Sequence, residues 1–86
     1  MNSKLHVRNL PNWVTNQDLS DKFARFGDVD FALVVRDDLS GESCGFGLVE
    51  MADELSAQEA IKWLNFSSYQ GQILSVSLFD SAKSAH

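Results

Sequence analysis

The segment Cys44-Gly45-Phe46-Gly47-Leu48-Val49-Glu50-Met51 limits what this chain can fold into more than any other stretch. Side chains of a strand alternate between its two faces. The octapeptide therefore sorts into Cys44, Phe46, Leu48 and Glu50 on one side, and Gly45, Gly47, Val49 and Met51 on the other. Glycine weakens a strand interior and is found there where another backbone or a helix comes close. The segment reads as a strand with two different faces, the glycine side closely approached.

Punctuation and periodicity supply the elements around it. Thr15-Asn16-Gln17-Asp18 has the form of a capping box with Asp in the acidic position. Leu19, Phe23 and Phe26 then form one apolar stripe, with Gly27 expected as a left-handed stop. A strand is predicted over Val29–Arg36, followed by the turn-rich Asp37–Ser43. Asp53 can cap a second helix whose Ala57, Ala60, Ile61 and Leu64 repeat at helical spacing. Ser67–Gln72 reads as a short hairpin or loop, and Ile73–Phe79 as a last strand. With Leu5–Val7 as the first strand, the order is strand-helix-strand-strand-helix-strand.

The octapeptide resembles the signature strand of RNA-recognition-motif domains, K/R-G-F/Y-G/A-F-V-x-F/Y, at Gly45, Phe46, Gly47 and Val49. It departs from that pattern at Cys44, where a cation is usual, and at Leu48, where a second aromatic is usual. Leu5-His6-Val7-Arg8-Asn9-Leu10 is similar to the family's other strand motif, with His6 in the place of the usual aromatic. The resemblance implies an α+β, ferredoxin-like βαββαβ sandwich with a four-stranded antiparallel sheet and two helices on one face. It covers a single domain over residues 4–80, leaving 81–86 as a short C-terminal tail.

Two helices on one side leave the other side of the sheet open. Alternation buries Val7, Ala32, Val34, Val49, Leu74 and Val76, and turns His6, Arg8, Leu33, Val35, Phe46, Leu48, Ser75, Ser77 and Phe79 outward. An apolar open face with a few aromatics suits stacking of single-stranded bases, and equally a covering protein. The resemblance implies single-stranded RNA as partner, with single-stranded DNA as a variant. The expected contact residues are His6, Arg8, Cys44, Phe46, Leu48, Ser75, Ser77 and Phe79. Phe46 is the main stacking platform, Leu48 a reduced contributor, and Arg8 a phosphate or base contact.

Charge tempers that expectation. Seven Lys and Arg stand against 12 Asp and Glu, a formal net charge of −5, and neutralisation of phosphate supplies most non-specific affinity. Lys4, Arg8 and Arg36 fall on or beside the sheet, whereas Asp18, Asp21, Asp53, Glu54 and Glu59 fall on the helical side. Weak binding by a monomer is expected. The alternative is a protein-interaction module on the same fold; Ser67-Ser68-Tyr69 lacks the Arg of the Arg-x-Phe motif by which one such group holds its ligands.

Trp13, in the loop after the first strand, is expected as a lid or a contact, and Trp63 as a core residue. If both were exposed on the helical side, they would indicate a protein contact there. No stretch is long and apolar enough to span a membrane, and the single cysteine and lack of an apolar leader point to an intracellular setting. Neither His6 and His86 with Cys44 nor the acidic turn at Asp37–Glu42 makes a metal site. No nucleophile–base set is recognisable, so neither catalysis nor a cofactor is expected.

Overall fold

The computed structural model describes residues 3–79. In chain order these form β1 (Ser3–Arg8), α1 (Asn16–Phe23), β2 (Val29–Arg36), β3 (Ser43–Met51), α2 (Glu54–Leu64), β4 (Ser68–Tyr69), β5 (Gln72–Ile73) and β6 (Ser75–Leu78). One antiparallel sheet runs β2-β3-β1-β6, and β4 and β5 pair as a separate hairpin. The ferredoxin-like βαββαβ fold expected from the sequence is present. The tail at 81–86, with His86, lies outside the described residues.

Local chemistry accounts for the helices. The Thr15 hydroxyl accepts from the Asp18 N–H at 3.1 Å, while the Asp18 carboxylate accepts from the Thr15 N–H at 3.0 Å. That reciprocal pair satisfies two of the donors that open α1. Asp53 caps α2 by accepting from the Ser56 N–H at 2.8 Å, which holds its carboxyl below the ordinary aspartate range. α1 buries Leu19 and Phe23, and α2 buries Ala57, Ala60 and Leu64. These close over Leu5, Val7, Val34, Val49, Met51, Leu74 and Val76 from the sheet. Each large apolar side chain sealed there contributes roughly 1.5–3 kcal/mol.

Three expectations need correction. Gly27 is not a left-handed helix stop: α1 ends at Phe23 with Ala24 still right-handed, and Gly27 has φ 154°. A Cβ there would overlap the Ser56 side chain, so Gly27 lets the turn before β2 pack on the start of α2. The last strand is also split. Gln72 and Ile73 belong to the hairpin, Leu74 returns its N–H to the Ser67 carbonyl, and only Ser75–Leu78 joins the main sheet. Ala32 is half-buried rather than buried, being on the edge strand.

Gly47 supplies the close approach expected of the octapeptide. A Cβ on it would sit 2.6 Å from the Leu33 carbonyl oxygen and 2.9 Å from Leu19 Cδ2. The neighbouring strand and α1 thus close directly onto its backbone. Among the described residues, no helix is long and apolar enough to cross a membrane.

Gly47→Ala should lower stability by about 2 kcal/mol or more, because a backbone oxygen cannot swing aside as a side chain can. Thermal unfolding should show it as a Tm lower by roughly 8–16 °C. An unchanged Tm would mean that neither the Leu33 carbonyl nor α1 presses on β3 at this point.

Candidate nucleic-acid interface

Strand register arranges the open face in cross-sheet rows. β1 and β3 pair Lys4 with Glu50, His6 with Leu48, and Arg8 with Phe46. β2 extends the first two rows, setting Phe31 beside Glu50 and Leu33 beside Leu48. β6 extends the last two on the other side, setting Ser77 beside His6 and Ser75 beside Arg8. Phe79, one residue past β6, donates its N–H to the Lys4 carbonyl at 2.8 Å and so closes the first row.

His6 is the centre of this surface. Its ring meets Phe46 edge-on, with centroids 5.7 Å apart and planes at 82°. Phe79 lies on its other side at 6.1 Å, tilted by 51°. Arg8 Nη2 lies 3.5 Å from His6 Nδ1, a donor facing an acceptor when the neutral imidazole carries its proton on Nε2. Partial burial, and next the Arg8 guanidinium, hold the His6 pKa below the ordinary 6.5.

All eight residues expected at the site are on or beside this face, but not in one cluster. His6, Arg8, Cys44 and Phe46 line a cavity of about 510 Å³ together with Asn9, Leu10 and Gly45. Leu48 and Phe79 line a second cavity of about 230 Å³ with Lys4, Phe31, Val49 and Glu50. Ser75 and Ser77 are exposed on the edge strand. Cys44 is a free, exposed thiol. Arg36 is drawn into structure, donating to the Gly41 and Val14 carbonyls at 3.3 and 3.2 Å.

Phe31 and Asn9 are additions to the sequence reading. Phe31 is 49% exposed on the open face, where the alternation that turns Leu33 outward also puts it. Asn9 takes a left-handed turn with φ 64° and donates to the Ile73 carbonyl at 2.9 Å. Its own carbonyl accepts from Gln72 at 2.9 Å, so the end of β1 is tied to the β4–β5 hairpin. Nothing in the local pattern around Asn9 encodes that distant pairing.

Trp63 is not a core residue. It is 62% exposed and donates to Glu59 at 3.0 Å along α2. Its position falls just outside the arc that Ala57, Ala60 and Leu64 bury. Phe66, just past α2, is 77% exposed. Trp13 is half-exposed and meets Tyr69 edge-on at 5.5 Å, while Lys22 Nζ stands 4.2 Å from the Tyr69 ring centre.

The RNA recognition motif profile matches residues 5–79. The chain belongs to the RNA recognition motif family. Glycine-rich RNA-binding protein 8 of Arabidopsis thaliana is 38% identical over 65 residues, covering 74% of this chain and 38% of the relative. A crystal structure of RNA binding protein PG1 superposes with TM-score 0.87 at 38% identity, covering 90% of this chain and 93% of that one. An Sxl-lethal protein/RNA complex superposes with TM-score 0.87 at 31% identity, covering 93% of this chain and 48% of that one. The chain spans well under half the length of the curated relatives it matches.

The depressed His6 pKa has a definite sign in stability. The unfolded chain binds the His6 proton near pH 6.5 and the folded chain only at lower pH, so acidification favours unfolding. Stability should fall as pH drops from about 7 towards 5, and His6→Gln should flatten that part of the curve. Denaturant melts across the window test this. A His6 ring titration centred at or above 6.5 would contradict it.

Proposed function

We propose that the domain binds single-stranded RNA through its open sheet face, weakly and as a monomer. The observation that carries this reading is the cluster of His6 between Phe46 and Phe79 beside Arg8. These are flat faces for bases next to a cation for phosphate. Family membership and RNA-binding relatives support it. Single-stranded DNA offers the same rings and phosphates and is a secondary ligand. The functional unit is residues 4–80, it works by binding rather than catalysis, and its setting is intracellular.

Weakness follows from charge and from the departures at Cys44 and Leu48. Cys44 supplies no cation to the larger cavity, and Leu48 offers a ribose an apolar contact without a π-face. His6 brings a ring in place of the usual Phe or Tyr, and its neutral state near pH 7 adds no charge. Stacking therefore carries more of the affinity than phosphate contact. Ser75 and Ser77 contribute hydroxyls along the edge of the same surface.

The second reading, a protein contact, draws on the exposed Trp63 and Trp13. It also draws on the apolar groups of the sheet face itself. A dimer that persists in high salt and ignores RNA in sedimentation would favour it over RNA binding. A monomer is expected.

Phe46→Ala should weaken RNA binding by ~1–3 kcal/mol, the usual worth of one base–aromatic stack. Titration calorimetry or anisotropy with short single strands would read it, and an unchanged Kd would remove Phe46 from the interface.

Cys44→Lys should tighten binding and steepen the salt dependence by about 0.7 in log–log slope, one added phosphate contact. If neither quantity moves, position 44 does not approach the phosphates.

A further inference from the structure

The row Phe31–Glu50–Lys4–Phe79 carries both charge signs, and with Leu48 it lines the cavity of about 230 Å³. We propose that this cavity takes one guanine base of the bound strand, with Glu50 as the residue that selects it. The proposal rests on the RNA-binding reading above and deepens it from a class of ligand to a base.

Size and walls suit a single base. The volume is below the ~300–1,000 Å³ of pockets for drug-sized ligands. Phe31 comes from one edge strand and Phe79 from the opposite side of the sheet, with β3 and β1 between them. Leu48 provides an apolar floor but no π-face. The aromatic surface missing at that position is thus supplied from its flanks.

The polar pair sets the choice. Lys4 and Glu50 stand directly opposite each other on neighbouring strands, a spacing of about 4.5–5.5 Å between Cβ atoms. One presents only donors and the other only acceptors. The Watson–Crick edge of guanine presents the O6 acceptor beside the N1–H and N2–H donors. O6 can accept from the Lys4 ammonium while the two parallel N–H groups donate to both Glu50 oxygens, the strong forked geometry. Cytosine and adenine offer Glu50 one amino group. Uracil places its N3–H between two carbonyl oxygens, which a carboxylate repels.

Glu50 otherwise works against the surface it occupies. A carboxylate repels the phosphates of an approaching strand, and an exposed Lys–Glu pair contributes little by itself. Reading donors on a base gives that charge a use.

The test is anisotropy with uridine hexamers carrying one guanosine, adenosine or cytidine, against the all-uridine strand. The intact chain should bind the guanosine strand about tenfold tighter than all-uridine, with adenosine and cytidine between. Glu50→Gln and, separately, Lys4→Met should each shrink the guanosine-to-uridine ratio. Equal affinity for all four strands, or a ratio that survives Glu50→Gln, overturns the proposal. Binding that depends on Phe46 but shows no guanine preference sinks this proposal alone. No binding to any strand sinks the RNA reading with it.

Discussion

Six consecutive Cα pairs join β1 to β3, from Ser3 with Met51 to Arg8 with Phe46, and this register decides which side chains are sealed and which are open. A slip by one residue would exchange the two faces, exposing Leu5, Val7 and Val49 and burying His6, Arg8 and Phe46. The slip is blocked on the covered side. Gly47 is the one point in β3 where the Leu33 carbonyl and the Leu19 side chain come too near for a Cβ, so the neighbours of β3 fit only with Gly47 beneath them. The packing that stabilises the domain and the placing of its aromatic surface are therefore one constraint.

That surface carries little positive charge. The net −5 sets the whole domain against phosphate, and Arg36 is engaged with two backbone carbonyls. Arg8 remains beside the His6–Phe46 pair and Lys4 beside Phe79. Each cation thus stands next to a ring, an arrangement that would let stacking and electrostatics act on one nucleotide. The larger cavity at the Arg8 end and the smaller one at the Lys4 end lie on either side of the His6–Leu48 row.

Much of this was legible in the sequence because it depends on short-range rules. Period-two alternation located Phe46, Leu48, His6 and Arg8 on one face, and the Thr15–Asp18 capping box fixed where α1 starts. The same alternation also puts Phe31, two residues before Leu33 in the strand expected over Val29–Arg36, on that face. What escaped depends on contacts between distant segments. Gly27 has the spacing of a helix stop, yet its role is set by Ser56 in α2. The break between Ile73 and Ser75 follows from the hairpin and from the ties of Asn9 to Ile73 and Gln72. Trp63 adjoins the buried stripe in sequence, and only the actual orientation of α2 turns it to solvent.

The most direct measurement is an amide-shift titration of the labelled domain with short single-stranded RNA. Shifts should grow along β1 and β3, at His6, Arg8, Phe46 and Leu48, and reach Phe79, while α1 and α2 stay nearly still. Shifts confined to the helices around Trp63, or none at saturating RNA, would contradict binding through the sheet face.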